Sequence, residues 1–206
     1  MRSDAPATTL DEAKVDEVLM GADGPDATAS YALMANDLFG TKFKVIMGYK
    51  GGSSDINLAI ERGEVHGRAS WDWVSLKHDR PDWLAQKKVA VLLQLALEPN
   101  PELKDVPLAI DLAKTEEDRQ ILELVLGTGK FLRSFSTPPG VPPARLKALR
   151  DAFRDTVTDK DFAADLAAVY PPGVDYSSPY TMEAYMAKVY GFAPAVVDRA
   201  ARYIGE

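Results

Sequence analysis

Apolar and polar positions follow two different rhythms along this chain. Short apolar runs, "EVLMGA" at 17–22, "FKVIMGY" at 43–49, "GRASWDW" at 67–73 and "VAVLLQL" at 89–95, read as strands. Between them the period lengthens. In 28–39, Tyr31, Met34 and Leu38 recur at helical spacing behind Asp26 or Thr28 as the capping residue. In 54–62, Ile56, Ala59 and Ile60 do the same before Gly63. Strands alternating with helices predict an α/β layer around a sheet.

Beyond the proline-rich loop "EPNPELKDVP" the helical rhythm dominates. Thr115 with Asp118 resembles a capping box ahead of Ile121, Leu122, Val125 and Leu126. One strand-like run, "FLRSFSTPPGVPP" at 131–143, precedes a helix marked by Leu146, Leu149, Phe153 and Val157, and Asp159 caps the next, with Phe162, Leu166 and Val169 inward. Two more stripes follow: Met182, Tyr185, Met186 and Val189, then Val197, Ala200, Ala201 and Ile204. The change of rhythm near 130–143 is the expected domain crossing. The tail beyond it has several apolar helix faces but one strand on which to pack them.

Composition narrows the function classes. The 206 residues, 46% of them hydrophobic, suffice for a buried core in one domain or two. With 24 Lys and Arg against 31 Asp and Glu, the net charge of -7 offers nucleic acid and anionic lipid no electrostatic attraction, so no nucleic-acid partner is expected. The absence of cysteine excludes disulfides, thiolate metal ligands and cysteine nucleophiles. The opening "MRSDAPATTLDEAK" is polar and lacks the apolar core of a secretory signal, and no apolar run approaches membrane-spanning length.

Candidate chemistry is sparse. His66 and His78 are the two histidines, and neither has carboxylates at metal-ligand spacing, so both are expected to be exposed and structurally neutral, with no metal and no cofactor. "SWDW" at 70–73 sets Asp72 between two indoles, an arrangement that raises a carboxyl pKa for acid-base work if the indoles enclose it. The same pattern serves equally as a strand end whose Trp71 or Trp73 packs on a helix. A hydrolase built on Asp72 lacks a base and nucleophile pair.

Two glycine-rich loops carry more. "GADGPDATAS" at 21–30 and "GYKGGSS" at 48–54 each follow a strand and open a helix. That unit aims the free N–H groups of a helix's first turn above the sheet, where a small anion is the natural guest. Ordinary turn chemistry explains each loop as well. Neither fits G-x-G-x-x-G or the P-loop, which argues against a nucleotide.

The linked order of "GYKGGSSDINLAIERGEVHGR", "RPDWL", "VPLAIDLAK" and "PPGVPPARLKALRDAF" with "DKDF" resembles the receptor component of tripartite tricarboxylate transporters, extracytoplasmic solute-binding proteins of the Bug type, from about Thr9 to near the C-terminus. The resemblance implies a type 2 periplasmic-binding fold, a non-enzymatic receptor that captures a small organic acid, membrane transporter subunits as partners and a periplasmic location. Carried onto this chain, it implies ligand contacts at Ala22, Asp23, Gly24, Asp26 and Thr28, at Tyr49, Gly51, Gly52 and Ser53 with Ser53 or Ser54 as helix cap, and at Trp71 and Asp72. The acids Asp23 and Asp26 depart from the serine-rich composition usual there and weaken the case for a plain dicarboxylate. A signal peptide and the N-terminal half-lobe of such receptors have no counterpart. The expected architecture is therefore an α/β second lobe over 10–130 with a mixed sheet flanked by helices, and over 131–206 a crossover strand with C-terminal helices from an incomplete first lobe. The tail stripes are then expected to be uncovered and to drive self-association or pairing with a separately encoded half-lobe.

Overall fold

The computed structural model describes residues 1–25, 27–131, 134–170 and 176–203. The elements run α1 (Leu10–Ala13), β1 (Val18–Ala22), α2 (Ala27–Phe39), β2 (Phe43–Met47), α3 (Ser53–Arg62), α4 (Trp73–Asp79), α5 (Pro81–Ala85), α6 (Glu116–Gly127), α7 (Pro143–Thr158), α8 (Lys160–Val169), α9 (Pro179–Tyr190) and α10 (Pro194–Ala201). The chain divides into two compact units, Met1–Thr128 with Phe192–Glu206, and Gly129–Gly191.

The first unit is an α/β layer. β1 and β2 pair in parallel, Val18 opposite Phe43 through Ala22 opposite Met47. Alternation along β1 decides which helix covers which face. Val18 and Met20 join Ala32 of α2 in one cluster, whereas Leu19 packs with Ile56, Ala59 and Ile60 of α3 in another. Gly21 lets α3 approach closely. A Cβ there would stand 3.0 Å from Ile56 Cγ2 and 3.2 Å from Val65 Cγ2. The turn from α2 into β2 is pinned by Asn36, whose Nδ2 donates to Phe43 O and whose Oδ1 accepts from Phe43 N, both at 2.8 Å.

Two expected strands are not formed. "GRASWDW" contributes a single parallel bridge, Gly67 to Met20, and then leaves the sheet because Asp72 turns the chain into α4 by accepting from Ser75 N at 2.9 Å. "VAVLLQL" likewise makes isolated bridges, Val89 to Arg2 and Gln94 to Leu108. The Gln94 side chain donates to Leu103 O and Val106 O and accepts from Asn100 N, which ties down the loop that follows. The sheet is accordingly narrow and parallel, where a mixed sheet was expected.

α6 forms as the spacing predicts, with the Thr115 hydroxyl accepting from Asp118 N at 3.0 Å. Its inward residues Ile121, Leu122 and Val125 are buried with Met34, Leu38 and Phe39 of α2. α10 closes this cluster. Val196, Ala200 and Tyr203 are the buried positions, and Val197 is exposed. The expected stripe of Val197, Ala200, Ala201 and Ile204 is therefore corrected: the helix opens at Pro194 and turns its 196/200/203 face inward, and Ile204 lies outside the described residues. Residues 192–203 pack with the first unit.

Within Gly129–Gly191, α7 and α9 are tied by Arg150 and Glu183 at 2.7 Å, and Phe153 stacks near Phe135 and Tyr176 at 5.2 and 6.2 Å. α7 and α8 contain no buried residue. Asp159 caps α8 through the N–H groups of Asp161 and Phe162. The strand expected at 131–143 is not found among the described residues; 134–138 has no ladder partner, and Leu132 and Arg133 lie outside them.

Candidate functional site

Three loops emerge side by side at the carboxyl edge of the parallel strands: Asp23 to Pro25 after β1, Gly48 to Gly52 after β2, and Arg68 to Asp72 after the Gly67 bridge. In the first, Ala22 is buried at the strand end and Thr28 is buried in the first turn of α2. Thr28 Oγ1 donates to Asp23 Oδ1 at 2.7 Å, and Gly24 N donates to the same oxygen at 3.1 Å. Asp26 lies outside the described residues.

The second loop requires its glycines. Gly48 has φ +114° and Gly52 has φ +63°, a region that β-branched and bulky residues avoid. Gly52 is itself the cap position of α3, so the expected serine cap is not formed. Asp55 reaches back instead and accepts from Gly51 N at 2.7 Å. Among the described residues the N–H groups of Ser53, Ser54 and Asp55 have no hydrogen-bond partner, as expected for a helix's first turn. The loops meet at Gly52, where Asp23 Oδ2 stands 3.7 Å from the place a Cβ would occupy. Tyr49 is half-buried against the α3 cluster, and burial pushes its hydroxyl pKa up.

The third loop supplies a residue the sequence pattern did not single out. Arg68 donates from Nη2 to Ser53 Oγ at 3.0 Å, from Nη1 to Asn57 Oδ1 at 3.2 Å and from Nε to Ser70 O at 2.8 Å. Its guanidinium lies 5.0 Å from the Trp71 ring centre. Trp71 packs on the α3 cluster with its ring edge-on to Trp83 at 5.7 Å, so the packing alternative describes it. Asp72 is exposed and serves as a helix cap, and the indole enclosure imagined for it is not formed. Trp73 donates to Glu102 Oε2 at 3.0 Å.

A shallow depression of about 260 Å³ adjoins the second loop, lined by Gly48 and Tyr49 with Asp55, Leu58, Ala59, Arg62 and Glu64. At 100° per residue, Leu58 and Arg62 fall on the flank of α3 opposite Ser53 and Asn57, so this depression is separate from the Arg68 corner. His66 is not the exposed bystander expected; its Nδ1 accepts from Leu19 N at 3.0 Å and continues β1's pairing. No group of metal-ligating side chains occurs among the described residues, and none of the helices there is long and apolar enough to cross a membrane.

The arrangement of three loops above a parallel sheet can be compared with solved structures. The chain has the fold of a TctC solute-binding protein. A crystal structure of a TctC solute-binding protein from Polaromonas superposes with a TM-score of 0.63 at 18% identity. The match covers 97% of this chain and 64% of that one, so the chain spans about two thirds of its neighbour's length. No protein-family model matches the sequence, and no curated protein does.

Proposed function

We propose that this chain is solute-binding material of the tripartite tricarboxylate receptor type, holding a small carboxylate-bearing molecule over the three loops. One observation carries the reading: Gly52, Ser53 and Arg68 place helix N–H groups that lack a partner among the described residues and a guanidinium beside one another at the carboxyl edge of the sheet, in a fold shared with a solute-binding protein. Residues 10–130 then correspond to the second lobe of a periplasmic-binding fold, and the helices of 131–191 to part of the first. Membrane transporter subunits are the partners and the periplasm the compartment that this reading carries with it. No residue is asked to do chemistry, and the site residues bind only.

Calorimetry and thermal shift with mono-, di- and tricarboxylates test it. A ligand at one hundred times its dissociation constant stabilises by about 2.7 kcal/mol, a rise of roughly 5–10 °C for a chain of this size. Gly52→Val is expected to abolish the shift, because valine is strained at φ +63° and crowds Asp23. Lys50→Ala is expected to leave it within experimental error, since an exposed ammonium is screened by water. Equal losses in the two variants overturn the backbone-centred site.

A second reading has its own observation. α7 and α8 bury no residue, and Phe135, Leu149 and Val169 are 83%, 50% and 80% exposed. An assembly role, with these helices pairing with another copy or with a separately encoded half-lobe, would hide that surface. Concentration-dependent light scattering in the micromolar range supports it; a strict monomer overturns the self-association form.

A further inference from the structure

We propose that His66 is an acid-operated latch in the sheet: its neutral ring holds the Leu19 N–H, and protonation of the ring loosens the edge from which the third loop departs. This goes beyond the solute-binding reading and does not depend on it. Its basis is a side chain standing in for backbone. Segment 66–67 meets β1 through His66 N and Gly67 N, which donate to Leu19 O at 2.8 and 3.2 Å, and through Gly67 O, which accepts from Gly21 N at 2.8 Å. In a regular ladder a backbone carbonyl would take the Leu19 N–H as well. Here the ring takes it, Leu19 N donating to His66 Nδ1 at 3.0 Å. On its other side His66 O accepts from Arg2 N at 2.7 Å, Arg2 bridges to Val89, and Ser3 N donates to Lys88 O at 2.8 Å. His66 therefore joins β1 to an edge made by 1–3 and 88–90.

The chemistry of the ring makes this joint sensitive to acid. A neutral imidazole accepts at Nδ1 only when its proton is on Nε2. Nε2 has no hydrogen-bond partner among the described residues and is free to carry that proton. Imidazole gains a second proton between about pH 5 and about pH 8, and both of its nitrogens are then donors. An N–H faces an N–H, and the Leu19 amide loses its acceptor. The neighbouring charges decide where the ring turns. Arg2 and, with it, the charge of the His66 ring hold the Asp4 carboxyl below its ordinary value, so Asp4 is the carboxylate that attracts a protonated ring and Arg2 the cation that competes for it. The other charges on the flanking elements are occupied with one another: Arg62 with Glu64 at 3.7 Å, Lys44 with Glu17 at 3.6 Å, and Lys88 with Asp82 at 3.8 Å. Arg68 is bound to Ser53 and Asn57. The Met1 amine donates to Ala90 O, and burial brings it down to about 6.

Amide exchange and the nitrogen spectrum of the ring, both on the full chain, test the latch. At neutral pH the proton of His66 is expected on Nε2, with the Leu19 amide protected. From about pH 7.5 to about pH 5, protection of Leu19, corrected for the intrinsic exchange rate, is expected to fall at least about tenfold. His66→Asn keeps an acceptor at the same branch point and does not titrate, so its Leu19 protection is expected to change less than about threefold over that range. His66→Ala is expected to leave Leu19 weakly protected throughout. The Met1 amine and the carboxylates titrate in His66→Asn as they do in the unsubstituted protein, so the difference between the two isolates the ring. His78, exposed beside Asp79, supplies a reference ring in the same spectrum. Equal loss of protection in His66→Asn and the unsubstituted protein overturns the proposal, and so does a proton on Nδ1 at neutral pH. Should His66→Asn fail to fold, the unsubstituted protein still decides: Leu19 protection that stays constant while the His66 ring protonates overturns the latch.

Discussion

Leu122→Ala is expected to cost about 3–5 kcal/mol and to lower the melting temperature of the first unit by roughly 10 °C. Leu122 is 0% exposed, in the middle of α6, beside Ile121 at 0% and Val125 at 2%. The same cluster holds Met34, Leu38 and Phe39 from α2, Val196 and Ala200 from α10, and Tyr203 just after it. Truncation there removes contacts to two helices at once. The cavity cannot collapse cheaply, because α2 is also held to the sheet through Asn36 and the β2 backbone. The measurement is clean, since Trp71, Trp73 and Trp83 are the protein's three tryptophans and all lie within Met1–Thr128. Tryptophan emission therefore follows this unit alone. A loss below about 1 kcal/mol in urea would mean that α10 and α6 are not a shared core.

The helical rhythm was legible because it extends over several turns: α2, α3, α6, α7, α8 and α9 stand where spacing put them. β1 and β2 were legible because each is a short apolar run followed by a loop and helix. "GRASWDW" and "VAVLLQL" fail as strands for nonlocal reasons. A ladder needs a partner at consecutive positions, and these runs find only isolated bridges, Gly67 to Met20 in the first and Val89 to Arg2 with Gln94 to Leu108 in the second. In α10 the sequence offers two overlapping stripes one residue apart. The docking surface, not the period, selects 196/200/203 over 197/200/201/204.

The loops of the candidate site were legible through glycine, since Gly48 and Gly52 both adopt positive φ. Arg68 was not, because nothing in one sequence says that residue 68 returns to residue 53; that proximity is made by the Gly67 bridge to Met20 and by α3 folding back over Gly21. Asp72 illustrates the opposite error. Its two flanking indoles suggested enclosure, yet successive side chains at a helix start diverge, so Trp71 turns to the core while Trp73 reaches Glu102 and Asp72 caps between them.

Arg199→Met is expected to destabilise the docked C-terminal helix by about 2 kcal/mol and to release amide-exchange protection across 194–203 before the rest of the unit. Arg199 gathers three carboxylates: Asp37 and Glu117 at 3.0 Å and Asp118 at 3.3 Å. Methionine keeps the aliphatic stem but leaves these acids facing one another. Asp37 and Glu117 are about half exposed and screened, so most of the cost comes from Asp118, whose side chain is 13% exposed. Tyr203 adds a hydrogen bond from its hydroxyl to Asp37. That bond, with Arg199 beside it, holds the Asp37 carboxyl below its ordinary value, while burial and Asp37 push the Tyr203 hydroxyl up to about 12. A carboxyl pKa depressed by folding stabilises fully above its unfolded value of about 3.9 and loses that contribution as pH falls through the folded one. A hydroxyl pKa raised by folding stabilises below its unfolded value of about 10 and loses the contribution as pH rises through about 12. Docking of α10 is therefore expected at full strength between about pH 4 and about pH 10, weakening on both sides. Asp37→Asn should remove the acid-side loss attributable to this contact, and an Arg199→Met, Asp37→Asn pair should cost less than the sum of the single changes, because each removes the other's partner. Additive costs, or exchange protection at 194–203 unchanged in Arg199→Met, would show that apolar burial of Val196, Ala200 and Tyr203 alone holds the helix in place.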